Sequence, residues 1–374
     1  MSAARLGAAT VASDAALTRG SDVTETSAAA APAVAMVLLG TGGVGGALLK
    51  LLDTPHASAV RLVGAANSRR QQVDPAQLAR RNLRGRLRSS GHPRDDIALL
   101  AALDASGAAV RVIVDATASV PLASRHAEWL ARGYHVVTAN KASAGGDLAG
   151  WCALQAASAH GGCYGDAATV GAGLPVLSTL RRLRRCGDRL LTLEGVFSGS
   201  LSYLFNHYDG SAPFSTLVRE ARTLGYTEPD PRADLSGADV ARKLLIIARA
   251  AGFALGIEDV EVDNLVPPAL RELDEATFLA RLPALDGPLA ARHAEAKARG
   301  NVLRYLARLD RHGRAGVGLV EVPPTHPAAR LGGADNQFAL TTVRYATRPL
   351  VIQGPGAGPE VTAQALLGDV LALV

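Results

Sequence analysis

The amino-acid sequence predicts an α/β fold in which a Rossmann-type, doubly wound parallel sheet is joined to a second, α+β domain. Between residues 34 and 163, short apolar runs alternate with helical segments, which is the pattern of repeated strand–helix–strand units. The glycine-rich stretch GTGGVG lies between the first predicted strand and the first predicted helix. From residue 164 onwards strands and helices are mixed. Residues 1–33 are rich in Ala, Ser and Thr and are predicted to be a disordered tail.

The individual elements follow from the spacing of apolar residues. Continuous apolar runs predict buried strands at 33–40, 59–68, 108–119 and 133–141, with helices at 47–52 and 121–132. In the second part of the chain we predict strands at 189–199 and 313–322, a helix over 238–251 closed by Gly252, and mostly helix over 275–308.

Composition excludes several classes of protein. Nearly half of the residues are hydrophobic and the net charge is +5, which is typical of a soluble globular protein, and the sequence contains neither a membrane-spanning run nor a secretory signal. We therefore expect a cytoplasmic protein without a membrane partner. The three cysteines and nine histidines match no disulfide or transition-metal pattern. Arginine clusters at 69–94 and 181–189 lack interleaved aromatic residues, so we expect solvated basic faces and no nucleic-acid partner.

The glycine loop predicts a dinucleotide site. Glycines at this point permit a tight turn and let backbone N–H groups approach a pyrophosphate at the start of a helix; the residues concerned are Gly40, Gly42, Gly43, Val44 and Gly45. After the second strand, where NAD-binding proteins usually carry an acidic residue, the chain has Asn67, Ser68, Arg69 and Arg70. Guanidinium groups in place of a carboxylate favour the 2′-phosphate of NADPH, with NADH as a weaker cofactor. A solvated turn is the alternative interpretation of Arg69.

Two further stretches, DATAS (115–119) and TANK (138–141), follow predicted strands at their carboxyl ends, the edge at which open α/β sheets bind ligands. Only four of the 39 basic residues are lysines, and two of them, Lys141 and Lys243, lie inside motifs. Because lysine exchanges a proton more readily than arginine, both are candidates for proton transfer.

The stretch GYTEPDPRADLSGADVARKL (225–244) brings carboxylates to the start of a helix. The prolines are expected to keep the chain extended up to Asp234, and Ser236 is expected to cap the helix. Asp239 and Lys243 are one turn apart, which is either an ordinary surface ion pair or a catalytic pair facing the carboxylates.

Six blocks of sequence resemble the homoserine dehydrogenase family and occur in the family's order: GTGGVGGALL, VTANK, TVGAGLPV, GVFSGSLSYLFN, GYTEPDPRADLSGADVARKLLIIAR and GPGAGPEVTA. The resemblance implies NADPH-dependent, reversible reduction of L-aspartate 4-semialdehyde to L-homoserine. It also implies a nucleotide-binding domain over 34–163 that residues 350–374 complete, and a catalytic and dimerisation domain over 164–349. A homodimer is the implied assembly.

The resemblance assigns roles residue by residue. Lys243 is the implied proton donor, with Lys141 beside the reacting oxygen and the nicotinamide and Asp239 ordering the proton path. Glu228 is implied to bind substrate. Ala233 stands where the family has the first of two aspartates, so Asp234 is expected to take over any role of that residue at the substrate. Further implied cofactor contacts are Thr117, Ser119, Gly356, Ala357 and Gly358. A sodium ion is implied at the main-chain carbonyls of Ala167, Val170, Ala172 and Leu174.

Family members often carry an aspartate kinase or a regulatory domain, and neither is found between residue 1 and Val374. Little feedback by threonine is therefore expected. Two alternatives remain open at this point. A dehydrogenase for another small amino-acid aldehyde would share the glycine loop without needing the 225–244 block, and a sensor that binds NADPH without turnover would not need the two lysines.

Overall fold

The computed structural model describes residues 34–374, so the predicted tail over 1–33 lies outside the described residues. The strands are β1 Val34–Leu39, β2 Val60–Ala66, β3 Arg70–Val73, β4 His92–Pro93, β5 Val110–Asp115, β6 His135–Thr138, β7 Tyr164–Gly165, β8 Leu190–Val196, β9 Val260–Val262, β10 Val302–Asp310, β11 Ala315–Val322, β12 Asn336–Thr342 and β13 Leu350–Gly354. The helices are α1 Gly43–Leu52, α2 Leu83–Ser89, α3 Asp96–Ala105, α4 Val120–Ala123, α5 His126–Ala131, α6 Lys141–Ala144, α7 Leu148–His160, α8 Val176–Arg185, α9 Gly199–His207, α10 Phe214–Thr223, α11 Arg232–Leu235, α12 Ala238–Ala251, α13 Pro268–Arg271, α14 Glu275–Arg281, α15 Asp286–Ala298 and α16 Pro359–Leu371.

The first sheet has the strand order β4-β3-β2-β1-β5-β6-β7. Strands β2, β1, β5, β6 and β7 are parallel, and β3 and β4 extend the sheet in antiparallel fashion. Both faces are buried, because Met36 and Leu38 of β1 pack in one apolar cluster while Val37 and Leu39 pack in another. Strands covered on both faces appear in the sequence as continuous apolar runs. The doubly wound α/β prediction is confirmed.

The second sheet has the order β13-β12-β8-β10-β11-β9 and is mostly antiparallel, with helices packed against it. The prediction of helix as far as residue 308 was wrong, because 302–310 forms the strand β10. Both faces of this strand are buried: Tyr305 and Ala307 belong to the large cluster, while Leu306 packs in a smaller one. The strand therefore lacks the alternation of apolar and polar residues that would have distinguished it from a helix.

The C-terminal segment contributes to both halves. Leu350–Gly354 is the edge strand of the second sheet, whereas α16 packs against α1 of the first half and buries Ala363, Leu366 and Val370 in its core. The proposed domain boundaries stay a prediction. Within residues 34–374, no helix is long and apolar enough to cross a membrane.

Helix α12 begins differently from the sequence prediction. Pro231 precedes the short helix α11, so the chain is not extended up to Asp234. Ser236 ends α11 with a helical backbone, and the cap of α12 is Gly237 at φ +72°. A Cβ at Gly237 would collide with the Tyr305 hydroxyl. The sharp left-handed turn aims the first turn of α12 at the carboxyl edge of the first sheet. The predicted stop at Gly252, at φ +102°, is confirmed.

Candidate active site

The glycine loop joins β1 to α1 with a geometry that few residues other than glycine could adopt. Gly40 has φ +93° and lies against the backbone of Ala116, and a Cβ at Gly45 would meet the carbonyl of Gly40 at 1.9 Å. A Cβ at Gly42 would meet no protein atom within 4 Å, so the space outside this residue is open. Gly42 caps α1 without a side-chain bond, which leaves the first N–H groups of the helix available to an anion.

The turn after β2 is built around Asn67. Its side-chain oxygen accepts hydrogen bonds from the backbone N–H groups of Arg69 and Arg70, both at 2.8 Å, and this folds the chain into β3. The Arg70 guanidinium donates to the carbonyl of Gly91. Arg69 is exposed, and its guanidinium forms no salt bridge within residues 34–374. The turn therefore presents one uncommitted cation beside the glycine-loop edge of the sheet.

A buried carboxylate organises the ends of β5 and β6. Asp115 is fully buried, and its two oxygens accept hydrogen bonds from Thr117 at 2.7 Å and from the Asn140 amide at 3.0 Å. The buried ring of His126 lies 3.1 Å from the same carboxylate. Asn140 also donates to the carbonyl of Ser119 and caps α6, the helix that begins with Lys141. This network fixes the two loops that flank Lys141.

Helix α12 brings a carboxylate between two ammonium groups. One oxygen of Asp239 lies 2.8 Å from Lys243 Nζ, and the other lies 3.7 Å from Lys141 Nζ. Lys243 also donates to the carbonyl of Phe197 at 2.8 Å, and its side chain is only 12% exposed. Desolvation in the cleft favours the neutral form of Asp239, but the two ammonium groups outweigh it and hold the pKa of this carboxyl below its usual range.

Within residues 34–374, the carboxylates at the acidic entrance to α12 differ in how they are engaged: Asp230 pairs with Arg232, Asp234 is hydrogen-bonded and Glu228 is free. Asp234 accepts hydrogen bonds from the Ser200 hydroxyl at 2.6 Å and from the backbone N–H of Glu228 at 2.9 Å. Burial raises the pKa of Asp234, and the negative charge of Asp239 adds to the effect. The side chain of Glu228 is exposed to the cleft and forms no salt bridge within the described part of the chain. Asp234 thus positions the loop, and Glu228 is available to a ligand.

The loop after Ala167 has an unusual backbone. Gly171 and Ala172 follow one another at φ +73° and +54°, and both line the cleft. Neither Val170 nor Ala172 accepts a backbone hydrogen bond through its carbonyl within residues 34–374, whereas the carbonyl of Leu174 accepts one from Val176. Of the carbonyls in the predicted sodium site, at least two are therefore uncommitted.

The GPGAG loop closes the cleft from the C-terminal side. A Cβ at Gly356 would overlap the amide of Asn336, so this glycine is required where the loop crosses β12. The same amide donates to the Phe197 carbonyl at 3.3 Å, the carbonyl that also receives Lys243. Gly358 precedes α16, and a Cβ at Gly43 would touch Pro359 of that helix, so the loop and the glycine-loop helix are neighbours.

These segments surround one cleft of about 950 Å³. Its walls contain the following residues predicted from the sequence: Val44, Thr117, Lys141, Ala172, Glu228, Asp234, Asp239, Lys243, Gly356, Ala357 and Gly358. The remaining predicted residues lie outside this lining: Gly40, Gly42, Gly43, Gly45, Asn67, Arg69, Ser119, Ala167, Val170 and Leu174. Sequence reasoning missed the organising roles of Asp115, Asn140 and the Phe197 carbonyl, although the first two stand inside the motifs DATAS and TANK.

A glycine loop at the switch of a doubly wound sheet, facing a buried lysine on a second, mixed domain, defines a dinucleotide-dependent dehydrogenase. Comparison with known proteins gives the family. The family model described as homoserine dehydrogenase matches residues 175–371, and the model of that family's NAD-binding domain matches residues 40–164. The chain belongs to the homoserine dehydrogenase family.

Individual relatives agree with this assignment. The chain is 38% identical to a homoserine dehydrogenase of Emericella nidulans over 90% of its own length and 97% of that protein. It is 41% identical to a chloroplastic bifunctional aspartokinase/homoserine dehydrogenase of Zea mays, covering 91% of this chain but only 38% of that relative. A crystal structure of a Candida auris protein of unknown function superposes with a TM-score of 0.84 at 35% identity, covering 91% of this chain and 98% of that one.

Proposed function

We propose that the protein catalyses the reversible reduction of L-aspartate 4-semialdehyde to L-homoserine with NADPH. The observation that carries the proposal is the bridge of Asp239 between Lys141 and Lys243 in the cleft below the glycine loop. Membership of the homoserine dehydrogenase family supports the choice of substrate.

The chemistry requires a proton and positive charge at one oxygen. The bound nicotinamide supplies the hydride that reaches the aldehyde carbon. As negative charge grows on the carbonyl oxygen, an ammonium group in a desolvated site stabilises it and then protonates it. Lys243 is the better donor because it is largely buried and held by both Asp239 and the Phe197 carbonyl. Lys141 is the second cation, and Asp239 keeps both ammonium groups in place.

We propose that the uncommitted carboxylate of Glu228 receives the substrate's ammonium group. Both substrate and product carry this group, so a carboxylate at the entrance favours amino-acid aldehydes over simple aldehydes. Asp234 contributes by fixing the backbone of Glu228 through a 2.9 Å hydrogen bond. Direct contact of Asp234 with substrate stays a prediction beside this positioning role, because Asp234 also lines the cleft.

For the cofactor we propose NADPH with NADH as the weaker alternative. The open space outside Gly42 and the free N–H groups at the start of α1 fit a pyrophosphate. Arg69 is the uncommitted cation beside the second strand, and its charge suits a 2′-phosphate. Asn67 contributes by shaping the turn that presents Arg69. Thr117, Ser119 and the 356–358 loop are proposed to border the nicotinamide half.

We also propose that the 167–174 loop binds sodium through main-chain carbonyls. The uncommitted carbonyls of Val170 and Ala172 fit a hard cation that prefers oxygen ligands, and the engaged carbonyl of Leu174 is the weakest member of the set. The ion would hold this loop against the cleft. Turnover measured in sodium-free buffer and after adding sodium chloride tests the proposal, since unchanged turnover and thermal stability would contradict it.

As to assembly and location, we infer a cytoplasmic homodimer that acts on small molecules, without nucleic-acid or membrane partners. Val262 and Val351 are exposed on β9 and β13, the two edge strands of the second sheet, and an edge strand offers unpaired backbone groups to a second copy. Light scattering coupled to gel filtration measures the assembly, and a monomer at micromolar concentration would contradict the dimer.

A panel of aldehydes tests the choice of substrate. Consumption of NADPH would be followed with L-aspartate 4-semialdehyde, with its one-carbon-longer homologue and with a simple aldehyde that lacks the ammonium group. We expect the highest kcat/KM for aspartate semialdehyde and the lowest for the simple aldehyde. A higher value for the longer homologue would move the function to another small amino-acid aldehyde, and NADPH binding without turnover of any aldehyde would favour a sensor.

A further inference from the structure

A second cavity lies away from the active-site cleft and is strongly basic. Its volume is about 460 Å³, within the range of small-molecule sites. Four arginines line it against a single aspartate: Arg181, Arg184, Arg185, Arg249 and Asp166. Asp166 is paired with Arg181, because both of its carboxylate oxygens accept hydrogen bonds from the Arg181 guanidinium. Three guanidinium groups therefore face the cavity without a salt bridge within residues 34–374.

Arg249 places a buried positive charge at this cavity, in addition to the exposed arginines. The residue is only 3% exposed, and its hydrogen bonds go to the carbonyls of Ala144, Gly146 and Leu255. None of these partners is charged, and the guanidinium forms no salt bridge within the described residues; the carboxylates of Asp147 and Glu258 act on it from further away and oppose the effect of burial. Burial lowers the pKa of Arg249, which is the direction expected for an under-compensated cation. Trp151 lies against it, with the guanidinium carbon 5.4 Å from the ring centre.

The exposed arginines lie at the rim. The Arg184 guanidinium lies beside Gly252, the residue that ends α12. Arg185 follows it on α8 and also lines the cavity. Arg182, on the same helix, is exposed but does not line the cavity. Helix α8 therefore carries two exposed arginines that line the cavity and one, Arg182, that does not.

We propose that this cavity is a second binding site, for a small, multiply charged phosphate compound. Guanidinium groups match phosphate oxygens in pairs, and the side chains of Arg184 and Arg185 donate no hydrogen bond within the described residues. Arg249 has already donated four of its five N–H groups to carbonyls, so it contributes mainly its positive charge. The site joins α7 of the first half to α8 and α12 of the second. Ile246 and Ala250 line the cavity on the row of α12 that carries Lys243, about 5 and 10 Å further along the axis. Occupancy therefore stabilises the seam between the two halves.

Pyrophosphate is the probe. Its binding to the full chain would be measured by titration calorimetry at constant ionic strength with NADP⁺ present in excess, since the glycine loop also suits pyrophosphate. Arg184→Ala/Arg185→Ala is the test variant, Arg185→Ala alone spares the packing of Arg184 on Gly252, and Arg182→Ala is the control. We expect at least tenfold weaker binding in the double variant, an intermediate loss in the single variant, and wild-type affinity in the control.

Thermal unfolding provides a second reading, because a ligand that binds only the folded state raises Tm with its concentration. Pyrophosphate should raise the Tm of the wild type and of Arg182→Ala, and the double variant should lose the rise. Equal affinity in the wild type and the double variant would overturn the proposal, and so would equal losses in the double variant and the control. Malonate binding as tightly as pyrophosphate would overturn the assignment to phosphate compounds.

Discussion

Replacing Lys243 with methionine removes the ammonium group while keeping most of the apolar stem. A positioned general acid contributes about 10²- to 10⁴-fold to rate, which corresponds to about 3 to 5 kcal/mol of transition-state stabilisation. We therefore expect kcat for aspartate semialdehyde to fall by that factor. NADPH affinity should change by no more than about twofold, because the group proposed to donate the proton is not a predicted contact of the pyrophosphate or the 2′-phosphate.

The same substitution should cost little stability. The Phe197 carbonyl keeps its bond from Asn336, and Asp239, whose side chain is 51% exposed, keeps Lys141 and water. We expect the free energy of unfolding to fall by about 1 to 2 kcal/mol. Turnover, NADPH titration and urea unfolding would be measured side by side, with Lys297→Met, an exposed lysine on α15, as the control. A kcat within tenfold of the wild type, or equal losses of kcat and NADPH affinity, would refute the assigned role.

Three further predictions concern other charged residues. Burial raises the pKa of Asp369 from 3.8 to about 6, so its ionisation opposes folding above that pH. Asp369→Asn should therefore increase the free energy of unfolding at pH 8 by up to about 3 kcal/mol and have little effect at pH 4, as measured by urea unfolding. Arg69→Asp should reduce the preference for NADPH over NADH by about 10- to 100-fold in kcat/KM, whereas Arg88→Asp should not. Glu228→Gln should raise KM for aspartate semialdehyde about tenfold or more without lowering the affinity for NADPH, and Glu272→Gln is the control. An unchanged KM would exclude the Glu228 carboxylate as the site of the substrate's ammonium group.

The sign of the Asp369 effect follows from linkage. A carboxyl whose pKa is higher in the folded state binds its proton more tightly there, so its contribution to stability is fully present below pH 3.8 and is lost as pH rises through about 6. The amide of asparagine stays neutral throughout and can still accept the hydrogen bond that Asp369 receives from the backbone of Ala167. A variant that is less stable than the wild type at pH 8 would contradict this reasoning.

The first half of the fold was predictable from sequence because local signals and tertiary structure agree there. Strand β1 is buried on both faces and appears as a continuous apolar run, and the glycine pattern marks the turn at Gly40. Strand β10 is buried in the same way but was assigned to a helix, because its apolar residues do not alternate with polar ones, although Gly300 and Asn301 stand directly before its start at Val302 and Gly300 turns the chain at φ +71°. Periodicity alone does not separate a doubly buried strand from a buried helix.

The candidate site shows a similar division. Residues that stand in motifs, such as Lys141 and Lys243, were found, and the structure brings them to the same carboxylate. The supports of the site were not found, because they depend on contacts between distant segments. The Phe197 carbonyl accepts from Lys243 across 46 positions, and His126 reaches Asp115 of β5 from helix α5. The prediction of Ser236 as the cap was wrong for a local reason: Ser236 itself ends α11, and the left-handed Gly237 beside it caps α12.

The most direct test of the central claim is the identity and amount of the product. Purified protein would be incubated with L-aspartate 4-semialdehyde and NADPH, and the amino acid formed would be separated by chiral chromatography and compared with the NADPH consumed. The account predicts one L-homoserine for each NADPH oxidised, and a much slower reaction with NADH. Binding of NADPH without oxidation, or oxidation without L-homoserine, would contradict it.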